Sequence, residues 1–221
     1  MRNVSVLFAR SDSCYFDLVA DVWDAERDAR NYCGSNPVIC HPPCRGWGRL
    51  RHLAKPRPDE KALALFAVDQ IRRCGGVLEH PYGSSLWAAA GLPKPGFTDA
   101  WGGWTLLVDQ GWFGHKAPKP TYVYICGVSP NQVPELPVQL HRAGGRTLDL
   151  TVAEREHTPI EFARFLVAIA EQASAPAQCY TDLAAVTPAG SYTDLAVVTP
   201  TGRKASAASK RASFAQWAGV R

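Results

Sequence analysis

The feature that most limits the fold of this chain is a strand–helix–strand pattern between residues 38 and 79. A short apolar run, Val38–Cys40, ends in polar and proline residues. A helix is predicted over residues 59–73, because apolar residues recur at helical spacing, acids stand at its start and arginines at its end. A second apolar run begins at Val77 and ends at Glu79. This order predicts two parallel strands joined by a right-handed crossover.

Other apolar runs extend this unit into an α/β sheet. Strands are predicted at residues 4–9 and 18–23, and an antiparallel hairpin at one sheet edge is predicted from residues 105–108 and 121–126. A short helix is expected over residues 84–90, and a last helix after Thr158, which with Glu161 matches a capping box. The prediction is a Rossmann-like three-layer sheet, mostly parallel with an antiparallel edge hairpin, covering residues 1–173.

Residues 174–221 differ in composition and are predicted to form a tail. Residues 180–191 are repeated almost unchanged as residues 192–203, and two copies are too few for a solenoid. Residues 203–221 carry five basic residues and no acid, although the whole chain has a net charge of only +4. Such a tail is typical of a disordered solubilising end or of loose contact with nucleic acid.

Cysteine content and hydropathy limit the compartment. The 221 residues include seven cysteines at irregular spacing, which favours reduced thiols. No run approaches the eighteen or so apolar residues of a membrane span, and the first residues are too few for a signal peptide. The sequence therefore predicts a cytoplasmic protein with no membrane contact.

The ends of the two central strands carry the candidate chemistry. Because ligands collect at the carboxyl ends of parallel strands, Cys44 and Glu79 are expected to face one crevice. The prolines before Cys44 stiffen its loop, and the cations Arg45 and Arg49 favour its thiolate, so Cys44 is a candidate nucleophile. Glu79 has apolar and turn-forming neighbours, so we expect it to keep its proton near neutral pH and to donate it to a ring nitrogen.

The cysteines allow two other interpretations. Together with His41, three of them could form a zinc site: Cys33, Cys40 and Cys44. They could also be buried apolar residues, which is the usual state of a free cysteine and the interpretation we favour for Cys40, Cys74 and Cys126.

The two strand ends resemble those of a known family. Pro42, Pro43 and Cys44 resemble the Pro-Pro-Cys nucleophile loop of DNA cytosine-5 methyltransferases, and the strand that ends at Glu79 resembles their Glu-Asn-Val strand. The chain also resembles small phage and prophage proteins, for which the compartment is the host cytoplasm. The resemblance implies that the cysteine thiolate adds to carbon 6 of an extruded cytosine, and that the glutamate holds and protonates nitrogen 3. Carbon 5 then takes a methyl group from S-adenosylmethionine.

The resemblance also implies roles for other residues. Cys44 and Glu79 are the catalytic pair, and no metal is required. The cofactor contacts are Asp24, Pro42 and Pro43. The substrate contacts are Arg45, Trp47, His80, Lys116 and Lys119.

The chain departs from the family at several points. The family's Phe-x-Gly-x-Gly cofactor loop is replaced by residues 9–13, which contain no glycine, and its Gln-x-Arg-x-Arg pattern is absent. There is no room for a target-recognition domain between Cys126 and the last helix. The expected partner is therefore DNA or a pyrimidine nucleotide, without sequence-specific recognition of a duplex, and the repeat suggests a homodimer formed by strand exchange.

Two alternatives stay open. The chain could be a non-catalytic protein of methyltransferase fold that binds nucleic acid or a host factor. It could also be an amino-methyltransferase, because residues 40–43 resemble the Asp/Asn-Pro-Pro-aromatic loop of those enzymes. In that case Cys44 would be dispensable.

Overall fold

The computed structural model describes residues 3–138, 145 and 149–176. Six strands form one sheet: β1 (Ser5–Leu7), β2 (Asp21–Trp23), β3 (Val38–Cys40), β4 (Gly76–Pro81), β5 (Trp104–Asp109) and β6 (Pro120–Cys126). The α-helices are α1 (Glu60–Cys74), α2 (Leu86–Ala89), α3 (Val152–Glu156) and α4 (Ile160–Gln172). Four short 3-10 helices lie at Cys14–Asp17, Ala29–Asn31, Gln110–Phe113 and Pro130–Gln132. The tandem repeat, the basic end and the exchange suggested for them lie outside the described residues.

The sheet is mixed but mostly parallel. Its strand order is β2-β1-β3-β4-β6-β5. Strands β1 to β4 run parallel to one another, and β6 pairs antiparallel with both β4 and β5. The predicted strand–helix–strand unit and the antiparallel hairpin are therefore confirmed, with β5 at the sheet edge.

Alternation along β3 and β4 determines which side chains can meet. Ile39 and Val77 pack in the apolar cluster that contains α4, whereas Cys40 and Leu78 pack in the cluster on the α1 face. Because successive residues of a strand point to opposite faces, His41 and Glu79 extend the α4 side and His80 extends the α1 side. The two polar residues that follow the apolar runs therefore leave the sheet on the same face.

The β3–β4 pairing depends on a glycine. Gly76 pairs with Val38 and has a φ of 121°, in the region that favours glycine. A Cβ at this position would lie 2.0 Å from the carbonyl oxygen of Val38. A larger residue would push the two central strands apart.

Helix α4 covers the sheet face on which Glu79 lies. The predicted apolar stripe of Phe162, Phe165, Leu166 and Ile169 is buried, which confirms that part of the prediction. The predicted capping box was wrong: the N-cap residue is Pro159, and no side chain caps the helix. The start of the helix is held instead by packing of its apolar face.

Several predicted elements have other bounds, and β1 and α2 are each three residues shorter than predicted. The second strand begins only at Asp21, because Ser13 caps a 3-10 helix over Cys14–Asp17 and this turn uses part of the predicted strand. The first helix keeps its predicted length but is shifted by one residue, to Glu60–Cys74. In the described residues, no helix has the length and apolar character that a membrane crossing requires.

Candidate functional site

Glu79, near the carboxyl end of β4, is held by two hydrogen-bonding neighbours. Its Oε2 lies 3.2 Å from Nδ1 of His41, the residue that follows β3. Its Oε1 accepts a hydrogen bond of 3.1 Å from Nε2 of Gln110, which follows β5. The side chains of His41 and Glu79 are each 13% exposed. Three strand ends therefore converge on one nearly buried carboxyl group.

Tyr15 fixes the other side of His41. Its hydroxyl lies 2.9 Å from Nε2 of His41, and the tyrosine is fully buried on the 3-10 helix after β1. Burial, with the charge of Glu79 among the lesser causes, raises the pKa of Tyr15 well above its ordinary value, so the hydroxyl keeps its proton and donates it. His41 then accepts at Nε2 and donates from Nδ1 to Glu79.

The protonation of Glu79 differs from the prediction. Burial alone would raise the pKa of Glu79, but the hydrogen bond from His41 and the positive charge of Lys119 outweigh it, and the net pKa is lowered. The expectation that Glu79 keeps its proton near neutral pH was therefore wrong. The sequence showed the apolar neighbours of Glu79 but not the donors that stabilise its anion.

The negative charge of Glu79 acts on the thiol of Cys44. Burial and then the charge of Glu79 raise the pKa of the Cys44 thiol to about 11, against the opposing charge of Lys119. The carbonyl of Cys44 accepts hydrogen bonds from the backbone of Trp47 and Gly48, at 3.0 and 2.8 Å, which holds the thiol at the start of a turn. Cys44 and Glu79 therefore belong to the carboxyl ends of two adjacent strands, Cys44 in the loop that follows β3 and Glu79 on β4.

The expected activation of the thiol by arginine was wrong. Arg45 forms an ion pair with Glu60, the first residue of α1, whose side chain is fully buried. Arg49 is exposed and does not enter the causes that shift the pKa of Cys44. In the ligand-free protein Cys44 is therefore a protonated thiol near neutral pH.

The predicted substrate contacts divide into two groups. Lys119 lies close enough for its charge to act on both Cys44 and Glu79. Trp47 follows Cys44 and is buried, and His80 is fully buried on the opposite face of the sheet, where its ring lies 6.3 Å from that of Trp87. Lys116 is engaged elsewhere, since its Nζ lies 2.6 Å from Oε1 of Glu154.

One buried hydrogen-bonding atom beside Glu79 has no partner. In the described residues, six buried side-chain nitrogen or oxygen atoms have no hydrogen-bond partner. Five of them lie on the α1 side of the sheet: Trp47 Nε1, both ring nitrogens of His80, Glu60 Oε2 and Arg72 Nε. The sixth, Gln110 Oε1, lies beside Glu79, and a buried acceptor of this kind costs about 1–3 kcal/mol when it stays unpaired.

The zinc interpretation was wrong for the residues it named. No group of three or more His, Cys, Asp or Glu residues in the described parts of the chain could hold a metal ion. Cys40 is buried on the α1 face of the sheet, His41 lies on the α4 face, and Cys33 is exposed. Cys40, Cys74 and Cys126 are buried, as expected.

The residues after β1 do not provide the cofactor loop that the resemblance implies. Residues 3–33 contain no glycine, and Arg10 in this segment is occupied by ion pairs with Asp12 and Glu156. The ring of Tyr15 is buried below this segment and bound to His41. Close backbone approach of the kind that glycines allow is therefore absent here, and these residues do not fit S-adenosylmethionine as the resemblance places it.

The other predicted cofactor contacts have structural roles in part. Oδ1 of Asp24 accepts backbone hydrogen bonds from Glu26 and Arg27, at 3.1 and 3.0 Å, and so closes its own turn. Pro42 is buried and Pro43 is half-buried, at the point where the chain leaves β3. Asp24 therefore stabilises its own turn.

Three residues of the site were missed in the sequence: Tyr15, Gln110 and Thr121. Gln110 Nε2 donates to Thr121 Oγ1 at 3.0 Å as well as to Glu79. The signal that could have found the last two was the hairpin itself, since pairing β6 with β4 brings the start of β6 and the end of β5 next to Glu79. Tyr15 gave no such signal.

Comparison of the chain with protein-family models, with curated proteins and with solved structures gives no match. The likeness to cytosine-5 methyltransferases therefore rests on the two strand-end motifs.

Proposed function

We propose that this chain is a nucleic-acid base-modifying enzyme of the cytosine-5 methyltransferase type, in which Cys44 is the nucleophile. The substrate is a pyrimidine in DNA or a nucleotide. The observation that carries the proposal is the nearly buried Glu79 carboxyl group near the end of β4, which lies 3.2 Å from His41, three residues before Cys44 in the loop that follows the adjacent strand β3. Helices on both sheet faces support the finer assignment to a Rossmann-like three-layer fold.

Cys44 adds to the base in a step that needs no other reactant. The S–H bond of the thiol breaks, and a bond forms between sulfur and carbon 6. The electron pair of the 5,6 double bond forms a 4,5 double bond, and the pair of the double bond between nitrogen 3 and carbon 4 moves onto nitrogen 3. Nitrogen 3 takes the thiol's proton, so atoms and charge balance. The product is a neutral enamine whose carbon 5 is nucleophilic.

Glu79 acts on this step as an anion. Its lowered pKa means that it does not supply the proton, as the sequence suggested, but stabilises the positive charge that nitrogen 3 carries after it has taken the thiol's proton and before the thiolate adds to carbon 6. Pairing with that charge offsets the repulsion that Glu79 exerts on a Cys44 thiolate. Binding of the base therefore lowers the pKa of the thiol, and the nucleophile becomes active only when a substrate is present.

The addition of the thiol to the base does not require a methyl donor. When bound, S-adenosylmethionine would supply the methyl group that carbon 5 takes. Its binding stays a prediction from the resemblance alone, and calorimetry with the full chain tests it.

The addition is tested with an oligonucleotide that carries 2-pyrimidinone in place of cytosine. This base has no amino group to donate electrons to the ring, so its carbon 6 is more electrophilic and a thiol adds without a methyl donor. We expect intact-mass analysis to show one covalent adduct with the wild-type chain and none with Cys44→Ser. Cys14→Ser is the matched control, because Cys14 is also half-buried and its pKa is also raised by burial. Absence of an adduct, or its persistence in Cys44→Ser, rules out Cys44 as the nucleophile.

A second candidate function is a non-catalytic protein of the same fold that holds nucleic acid. The raised pKa of Cys44 and the missing glycine loop favour it. Oligonucleotide binding without an adduct is the result that selects it. The amino-methyltransferase alternative predicts instead that amine methylation survives in Cys44→Ser.

A further inference from the structure

Two tyrosines form an exposed aromatic surface at the end of the sheet that carries Glu79. Tyr82 follows β4 and is 42% exposed, and Tyr122 on β6 is partly exposed. Their ring centroids are 5.0 Å apart. Leu107 on the edge strand β5 pairs with Tyr122, is 44% exposed and extends the same face. We call these three residues the tyrosine surface.

The tyrosine surface is held from behind by buried groups. The ring of Tyr122 lies 4.9 Å from that of Trp87, which is buried and whose Nε1 donates a hydrogen bond of 3.0 Å to Thr105. The backbone N–H of Tyr82 donates to the carbonyl of Pro120 at 3.0 Å. Because the rings are already fixed, a flat ligand binds them without a large loss of side-chain freedom.

Unpaired positive charge adjoins this surface at Arg49. The aliphatic stem of Arg49 packs on Gly83, the residue after Tyr82, so that a Cβ at Gly83 would lie 3.2 Å from Cδ of Arg49. Arg51 and Lys55 follow in the same segment, and in the described parts of the chain none of these three exposed cations forms an ion pair. Fixed aromatic rings beside free cations suit a ligand that has flat faces and negative charge.

We propose that the tyrosine surface binds single-stranded nucleic acid, with unpaired bases stacked on Tyr82 and Tyr122 and the phosphates next to Arg49. Stacking requires a free face on each base, and a duplex buries these faces within its own stack. The surface therefore selects a single strand, and it tolerates any sequence because every base has a flat face. The inference rests on the proposed function, since it names the form of nucleic acid that brings a base to the strand end of Glu79.

The test is binding of fluorescein-labelled strands of about twelve nucleotides to the full chain, measured by fluorescence anisotropy. The probes are oligo(dT), a duplex of the same length, and an abasic strand that keeps the phosphates and lacks the bases. We expect the wild-type chain to bind oligo(dT) about tenfold or more tightly than either of the other probes. Equal binding of the abasic strand or of the duplex overturns the proposal, even if no variant folds. Tighter binding of poly-glutamate than of oligo(dT) also overturns it and assigns the surface to an acidic protein.

Two variants locate the binding. We expect Tyr82→Leu and Tyr122→Leu each to weaken oligo(dT) binding by about tenfold, the effect of one lost stacking contact, and to change binding of the abasic strand by less than about twofold. Phe97→Leu is the matched control, because Phe97 is 67% exposed but precedes Thr98, which pairs with Trp104 at the opposite end of β5. An equal loss in Phe97→Leu, or no loss in either tyrosine variant, rejects the tyrosine surface.

The charge of Arg49 is tested by the dependence of the affinity on salt. Each phosphate contact to a single strand contributes about 0.7 to the slope of log K against log salt concentration, so we expect Arg49→Gln to reduce the slope by about this amount. Arg164→Gln is expected to leave the slope unchanged, because Arg164 is exposed but paired with Glu161 on α4. An unchanged slope in Arg49→Gln contradicts the placement of the phosphates.

The outcomes separate this inference from the proposed function. Base-dependent binding that requires the two tyrosines, without a 2-pyrimidinone adduct, keeps the tyrosine surface and rejects the catalysis. An adduct that forms equally fast in wild type, Tyr82→Leu and Tyr122→Leu at limiting strand concentration keeps Cys44 as the nucleophile and rejects the tyrosine surface.

Discussion

Replacement of Glu79 by glutamine is expected to make the Cys44 thiol more reactive. The charge of Glu79 is the second cause, after burial, that raises the pKa of Cys44 from 9.0 to about 11. Glu79→Gln removes this charge and keeps a side chain of the same shape. Burial remains, so the pKa is expected to fall part of the way back.

The size of the effect follows from the thiolate fraction. A pKa of about 11 in place of 9.0 lowers the thiolate fraction near pH 8 by about a hundredfold, since each pH unit is a factor of ten. We expect Glu79→Gln to recover on the order of tenfold in the alkylation rate. Two further charges act on the same sulfur: Glu156 raises its pKa and Lys119 lowers it. Glu156→Gln is therefore expected to raise the rate by less than Glu79→Gln, and Lys119→Gln to lower it.

The assay is alkylation by iodoacetamide at fixed pH, followed at each cysteine by peptide mass spectrometry. Cys14 in the same samples is the internal control, because Glu79 and Lys119 do not enter the causes that shift its pKa. An unchanged or slower rate at Cys44 in Glu79→Gln, with the rate at Cys14 constant, would show that the two groups are not electrostatically coupled. An increase in both rates would indicate general loosening of the fold instead.

Three further predictions test the physical basis of the fold. Burial lowers the pKa of His80 from 6.5 to about 4, so between these pH values the unfolded chain binds a proton that the folded chain does not. The free energy of unfolding is therefore expected to fall by about 3 kcal/mol as the pH drops from 6.5 to 4. Urea unfolding of His80→Phe is expected to lack this pH dependence, and an unchanged pH dependence refutes the assignment. The lowered pKa of Glu79 acts in a different window: Glu79→Gln is expected to be less stable than wild type above pH 4.5, with the difference shrinking in acid, and a gap that widens in acid contradicts the anionic state. Gly76→Ala brings a Cβ against Val38 and is expected to lower the free energy of unfolding by about 3 kcal/mol or more, measured by thermal unfolding. Gly91→Ala is the control, because Gly91 has a φ of 60° and open space around it, and its expected loss is about 1–2 kcal/mol. Equal losses would show that the β3–β4 contact tolerates a side chain.

Elements with a clear local period were predictable from the sequence. The helix before Gly76 and the strands on either side of it have apolar spacings that belong to one structure only. The start of α4 was predicted with the wrong cap, because a capping box is one of several ways to begin a helix and packing of Phe162 and its neighbours supplied another.

A crevice shared by Cys44 and Glu79 stays a prediction, but their placement at the ends of adjacent parallel strands followed from the sequence. Their protonation did not, and both expectations had the wrong sign. A pKa depends on which charges and donors lie within a few ångströms, and His41, Lys119 and Gln110 reach Glu79 from three different segments of the chain.

The sequence by itself determined the parallel strand–helix–strand unit, the antiparallel hairpin and the placement of Cys44 and Glu79 at the ends of adjacent strands, because each depends on local periodicity or on chain direction. The tertiary structure alone decided that Tyr15 closes one side of the site, that Gln110 presents an unpaired oxygen, and that the resting site holds an anion beside a protonated thiol. Burial and the pairing of charges are properties of residues distant in sequence, and they exist only once the strands have come together.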